Sequence, residues 1–352
     1  MDKNSIAFLE QLLQTPSPTG FEEEIQKVVR ERVSPYAEYI DTDLHGNVIA
    51  GINVEANTRV MLAGHCDQIG LMITEITDKG YLYVAALGGI DVPTLWGARV
   101  VVIGRKGHVQ GVVGRKPIHL QSGEERNSCQ VDIDKIWIDI GAKDKKDALK
   151  LVEVGDPIVY RPDVFYMGKE LIVAPGLDDR VGLFVAIETL IECSKKNIKV
   201  ALYAVSTVQE EVGLRGAKTS AYNIDPQVGI AIDVCHSSDN PGKGNQRVEC
   251  ILGNGPAVMK GPNINPVVYR TLEAVAKKGK IKFQPHPYAR LLGNDANVMQ
   301  VSKRGVATGS IGIPNRYMHT QTEVCHLADL KATIKLLSLF VQSINDRTDF
   351  TP

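Results

Sequence analysis

Apolar residues recur along this chain with two different periods. Over 22–33, Ile25, Val28, Val29 and Val33 fall on one face at helical spacing. Pro16, Pro18 and Gly20 break the chain just before them, so a helix is expected to begin near Phe21. Continuous apolar runs at 59–63, 199–206 and 227–232 read as buried strands, and 181–193 reads as a helix. Strands that alternate with helices imply a mostly parallel sheet covered on both faces. A last amphipathic helix is expected over 327–345, packed back on that sheet.

Residues 70–163 follow another rhythm. Short apolar segments at 81–86, 99–103, 109–113, 136–140 and 157–160 are separated by Gly, Lys-Gly and Asp-rich turns. Many short strands with frequent glycines suggest a small β-barrel or sandwich. The expected organisation is an α/β domain made of 1–69 and 164–352, interrupted by an inserted β domain at 70–163. No internal repeat or low-complexity tract interrupts this layout.

Composition narrows the function classes. A chain of 352 residues with 43% hydrophobic residues can build a sizeable core. Its formal net charge of -1 offers no basic field for a nucleic acid. No apolar run reaches the roughly 18 residues a membrane helix needs. The first twenty residues lack the basic start, apolar run and cleavage site of a secretory signal, so a cytoplasmic location is expected. Cys66, Cys129, Cys193, Cys235, Cys250 and Cys325 form no CxxC pair and are expected to be reduced, mostly buried small hydrophobes.

The candidate chemistry sits in five segments that each place an acid or histidine just past a strand, where open parallel sheets build their functional crevice. In Gly64-His65-Cys66-Asp67, a histidine with a carboxylate two residues on fits a metal ligand and the group that orients it. Asp178-Asp179, in a glycine-containing turn before a helix, reads either as capping acids or as a source of a bridging carboxylate. Glu210-Glu211 follows a buried strand; one acid can bind metal while the other serves as general base on water. Asp233 ends an apolar run, and His319 lies between a Gly/Pro-rich stretch and the final helix. Together they supply two histidines and three carboxylates as ligands, with Asp67 and Glu210 left for support and catalysis. This donor set suits zinc, cobalt or manganese and needs no thiolate.

The segments TPSPTGFEEEIQ, GHCDQIGLM, PGLDDRVG, VQEEVGLRGA, AIDVCHSSD, GNDAN and PNRYMHTQTE span nearly the whole chain. In order and spacing the chain resembles the tetrahedral aminopeptidases of metallopeptidase family forty-two, which includes glutamyl aminopeptidases and proteins once labelled endoglucanases. The resemblance implies two divalent metal ions per subunit, most readily zinc or cobalt, with manganese also compatible. It implies that His65 and His319 are terminal ligands, one for each ion, that Asp178 bridges, and that Glu211 and Asp233 complete the set. Glu210 would be the general base and acid, and Asp67 would orient His65; Asp179 and Arg180 match the pattern without being ligands. It further implies short peptides as substrates, a β-barrel-like insert that mediates dimerisation, and a twelve-subunit particle built from dimers. One departure stands out: the residue after Asp67, often an acid in the family, is Gln68. The metal site is expected to tolerate this, with an effect on local charge, metal preference or pH optimum.

Other readings compete with this one. A carboxypeptidase, dipeptidase or deacylase on the related scaffold would use the same metal chemistry, but the β-rich 70–163 and Tyr317-Met318-His319-Thr320 favour an aminopeptidase. A silent scaffold protein would be expected to have lost a ligand or the base. A glycosidase would leave both histidines idle. His108, His119 and His286 read as surface or loop histidines, although His286 and Arg290 lie close enough to GNDAN in sequence to reach a substrate pocket. Residues 253–256 read as a turn near the cleft.

Overall fold

A computed structural model of the protein describes residues 1–123, 132–242, 244 and 247–352; Cys129 lies outside them. Two helices open the chain. The first, α1 (Lys3–Gln14), starts where the Asp2 carboxylate accepts from the Ser5 amide at 2.8 Å, and it buries Phe8, Leu9, Leu12 and Leu13 as one stripe. The second, α2 (Glu23–Val33), begins two residues later than its pattern suggests and buries Ile25, Val29 and Val33. A hairpin of β1 (Tyr39–Thr42) and β2 (Val48–Ile52) then leads to β3 (Arg59–His65).

Six strands follow as a closed antiparallel barrel. They are β4 (Gly70–Ile76), β5 (Leu82–Leu87), β6 (Arg99–Gly104), β7 (Gly107–Arg115), β8 (Ile136–Asp139) and β9 (Pro157–Tyr160), in the order β4-β5-β8-β7-β6-β9. Along β5, Leu82 and Val84 are buried while Tyr83 and Ala85 face outward, the alternation a one-sided strand requires. The barrel has its own apolar core, in which Leu71, Ile73, Val100, Ile138 and Ile158 meet.

The chain then completes one large sheet through β10 (Phe165–Met167), β11 (Leu171–Ala174), α3 (Leu177–Ser194), β12 (Ala201–Thr207), α4 (Arg215–Ile224), β13 (Val228–His236), β14 (Ala257–Lys260), α5 (Pro266–Gly279), β15 (Gln284–Pro287), α6 (Ala296–Gln300), β16 (Ala307–Arg316), β17 (Glu323–His326) and α7 (Leu327–Ser343). Its main path is β1-β2-β12-β3-β13-β16-β17-β11-β10, with β14 and β15 attached beside β16. The centre is parallel, β12 with β3, β3 with β13 and β13 with β16. Antiparallel strands extend it on both flanks, so the expected α/β sheet is parallel where it carries the site.

Glycines let helices approach this centre from both sides. At Gly64 a Cβ would fall on the Leu183 backbone of α3, and at Gly229, on the opposite face, it would fall on the Met299 side chain of α6. Because α3 is buried along nearly its whole length, its apolar residues surround it instead of forming a stripe. The strand β16 is the main element the apolar pattern hides: Gly309, Gly312 and Pro314 interrupt a strand that is buried over most of its length. Among the described residues, no helix is long and apolar enough to cross a membrane. Cys66, Cys193, Cys235, Cys250 and Cys325 are buried free thiols, and Cys235 and Cys250 lie with their sulfurs 3.1 Å apart.

Candidate metal centre

The carboxyl ends of β3, β12 and β13 converge on one edge of the sheet. His65 is the last residue of β3, opposite Thr207 at the end of β12. Glu210 and Glu211 stand in the turn after β12. Asp233 lies within β13, two residues past Ala231, and the pairing of β13 with β3 ends at Ala231 opposite Ala63, so the two strands have parted by the level of His65 and Asp233. Asp178 and Asp179 open α3 with non-helical backbone, joined by a cis peptide. His319 occupies the turn between β16 and β17 in a left-handed conformation, φ +63°.

Asp178 faces both histidines at once. Its Oδ1 lies 3.2 Å from His65 Nε2, and its Oδ2 lies 3.1 Å from His319 Nε2. Glu211 Oε1 is 3.5 Å from His319 Nε2, and Glu210 Oε2 is 3.9 Å from His65 Nε2. Two groups of potential ligand atoms, His65–Asp178–Asp233 and Asp178–Glu211–His319, share Asp178; His65, Glu210 and Glu211 form a third. The five side chains expected from the sequence as ligands therefore meet there together with Glu210.

The supporting shell fixes the rings. His65 Nδ1 is 3.0 Å from the Asp67 carbonyl oxygen, and His319 Nδ1 is 2.8 Å from the carbonyl of Gly89 in the segment after β5. A carbonyl can only accept, so each Nδ1 carries a proton and each Nε2 is turned to the carboxylates. The Asp67 carboxylate itself is 3.4 Å from His65 Nδ1, and its closer partners are backbone. It accepts from the Glu210 amide at 3.0 Å and the Glu211 amide at 3.2 Å. Asp67 thus orients His65 chiefly through its main chain and grips the acidic turn with its side chain. Asp179, fully buried, accepts from the amides of His65 and Gly182.

Three supporting residues carry no role in the sequence reading. Glu323 accepts from the Asp178 amide at 2.8 Å and the His319 amide at 3.1 Å, tying both sides of the centre together. Gly89 contributes only a carbonyl, which no side-chain pattern could reveal. Asp295 is buried in GNDAN and accepts from Thr207 at 2.7 Å. Gln68 accepts from the buried Arg180, which also donates to Ser17 and to the Thr15 and Gly176 carbonyls. A neutral amide thus meets this guanidinium.

The electrostatics follow from packing like charges in a dry place. Burial, then Asp178, pushes Asp233 up to about 7 and Glu211 up to about 8. Burial raises Glu210 to about 10, with Asp233 adding to the push against His65. Asp178 goes the other way: burial alone would raise it, but hydrogen bonds from His319 and His65 hold it well below the usual carboxylate range. His319 rises to about 10, through Asp178 above all. For His65 burial works downward, and Glu210, Asp178 and Asp67 outweigh it. Glu211 Oε1 is buried without a hydrogen bond. Clustered carboxylates with an unpartnered buried oxygen, beside two Nε2 atoms, are a donor set suited to hard or borderline divalent cations.

The centre opens into a cleft of about 500 Å³, walled by Val248, Met259, Tyr288, Leu292 and Met318. His286 also lines it, whereas Arg290 does not and His108 sits away from it beside Glu24. Gly253 and Gly255 donate their amides to Asp329, so that turn is structural.

The chain is 36% identical over 346 residues to a lysyl aminopeptidase of Pyrococcus furiosus, covering 98% of each chain. Its fold matches that of a TET aminopeptidase from a marine sediment archaeon with a TM-score of 0.93, at 30% identity and 97% coverage of both. It also matches a TET1 peptidase of Pyrococcus horikoshii, with a TM-score of 0.85 and 32% identity, over 97% of this chain and 100% of that one. The sequence model of the family described as M42 glutamyl aminopeptidase covers residues 46–336. The chain belongs to the M42 glutamyl aminopeptidase family, a metal-dependent family of peptide hydrolases.

Proposed function

We propose that the protein removes N-terminal residues from short peptides at a pair of divalent cations, with Glu210 as general base. The observation that carries this reading is the position of Asp178, whose two oxygens face His65 and His319 separately. His65 with Asp233 would hold one ion, Glu211 with His319 the other, and Asp178 both. Zinc or cobalt fits these donors best, and manganese is compatible. Bound there, the cations would lower the pKa of water and polarise the scissile carbonyl.

The remaining work belongs to the protein. Glu210 lines the cleft and is not needed by either ligand set that shares Asp178. Its carboxylate takes the proton of the attacking water and returns it to the leaving amine. The acidic centre draws the free α-ammonium of a peptide, while Met259, Leu292 and Met318 receive side-chain surface. Cytoplasmic placement is supported by the buried free thiols, which suit a reducing compartment. The Pyrococcus horikoshii relative is described as assembling into a tetrahedron or a large octahedral shell. We extend this to a dodecamer built from six dimers here, each dimer joined through the barrel; its mass by light scattering tests that.

The deciding experiment is hydrolysis of a panel of aminoacyl-p-nitroanilides by metal-stripped protein, with and without cobalt or zinc. Metal-restored release from free-amine substrates and none from acylated ones is expected. Release from acylated substrates alone would make the protein a deacylase. Glu210→Gln should lower kcat by at least about a thousandfold with metal content unchanged; retained turnover would remove Glu210 from its role.

A further inference from the structure

The turn that carries Glu210 and Glu211 is gripped by a second acid besides Asp67. The Gln209 amide donates to Glu22 Oε1 at 3.1 Å, and the same oxygen accepts from the Gly20 amide at 2.7 Å. Glu22 is only 6% exposed, and its carboxylate makes no capping bond to the helix it precedes, α2. Gln209 stands at φ +53°, a left-handed conformation uncommon for a residue with a side chain. Three successive amides, 209 to 211, therefore end on two buried carboxylates.

The backbone segments that bear these carboxylates are tied to one another. The Gln68 amide donates to the Ser17 carbonyl at 2.9 Å, and the Thr19 amide donates to the Gln68 carbonyl at 3.1 Å. The segment leading to Glu22 is thereby stitched to the strand end that carries Asp67. A strained residue directly before the Glu210–Glu211 pair sets the direction in which both side chains leave the backbone.

We propose that Glu22 is a positioning residue for the peptidase reaction, holding the Gln209 amide so that Glu210 and Glu211 project into the cleft. This rests on the roles given to Glu210 and Glu211 above. An acceptor is what the site needs, so a neutral acceptor of the same length serves.

The test compares Glu22→Ala, Glu22→Gln and a control, Ile25→Ala, which removes a buried apolar side chain from α2, the helix that Glu22 precedes. Two quantities are read for each, kcat and KM at saturating metal, and the affinity of the stripped protein for cobalt by visible absorption. Glu22→Ala should lose kcat by about 10- to 100-fold with KM within about threefold, and weaken cobalt binding by about tenfold. Glu22→Gln should restore both, and Ile25→Ala should leave both near wild type. Wild-type values in Glu22→Ala, failure of Glu22→Gln to restore them, or an equal loss in Ile25→Ala would overturn the assignment. Should the wild-type protein cleave no peptide, the peptidase reading has failed, and the cobalt affinities still decide the role of Glu22.

Discussion

The two halves of the candidate metal centre are built in opposite ways. His65 and Asp233 ride on parallel strands at the middle of the sheet, and the His65 side chain is 3% exposed. Glu211 and His319 stand on turns, and the His319 side chain is 29% exposed. The first half inherits its geometry from a hydrogen-bonded ladder; the second depends on single contacts from Asp67, Glu323 and Gly89. A site can therefore combine a rigid half with one whose precision is assembled from remote pieces.

Asp178 is where the halves join, so its loss should erase the difference. Asp178→Ala is expected to lower kcat/KM by at least about a thousandfold and to release both ions, as metal analysis after dialysis would show. One ion kept at full occupancy would mean that Asp178 is not shared.

The histidines should separate the halves. His65→Ala is expected to lose one ion and to cost roughly 2–4 kcal/mol of stability, because it leaves buried acids without a partner. His319→Ala should lose the other ion at a cost within about 1 kcal/mol, given its exposure. Thermal melts of the stripped variants check this, and equal destabilisation would remove the contrast.

Glu323→Ala acts on the turn-built half through the His319 amide, and also touches Asp178. Affinity for the more weakly held ion is expected to fall about 10- to 100-fold, measured by competition with a chelator. Weakening confined to the other ion would contradict the division drawn here.

The smallest effect is that of pH on the metal-free protein. Glu211 at about 8 and Asp233 at about 7 bind protons more tightly folded than unfolded. A raised carboxylate pKa makes the folded state the better proton binder, so stability falls as pH rises from about 5 to 8. Melts at pH 6 and pH 8 should show this decline, and cobalt should remove it. Cation affinity should rise over the same interval, because binding displaces those protons.

The strand-built half was the easier to see in the sequence. His65 and the Glu210–Glu211 pair follow unbroken apolar runs that become β3 and β12. Asp233 was placed at a strand end, although β13 continues to His236; what ends before it is the pairing with β3, at Ala231. His319 was the weaker candidate from the residues alone, because β16 before it is broken by glycines, and the family motif strengthened it. Those glycines are packing devices: a Cβ at Gly309 would meet Val268, and one at Gly312 would meet Cys235. Glu323 drew no reading from the sequence, and it is the fold that buries it beside Asp178 and His319. Five of the six barrel strands were legible from short apolar runs; β4 was not, and closure as a barrel and not a sandwich depends on pairings such as β4 with β9 that are far apart in the chain.

Surface loops usually absorb insertions and deletions freely. The bond from His319 to the Gly89 carbonyl withdraws that freedom from the link after β5. A residue added or removed there would shift the acceptor by a full chain step, about 3.8 Å, and the ring would lose the contact that fixes its proton. The length of this link should accordingly drift less among descendants of this gene than its side chains, since what is used at Gly89 is the position of the backbone.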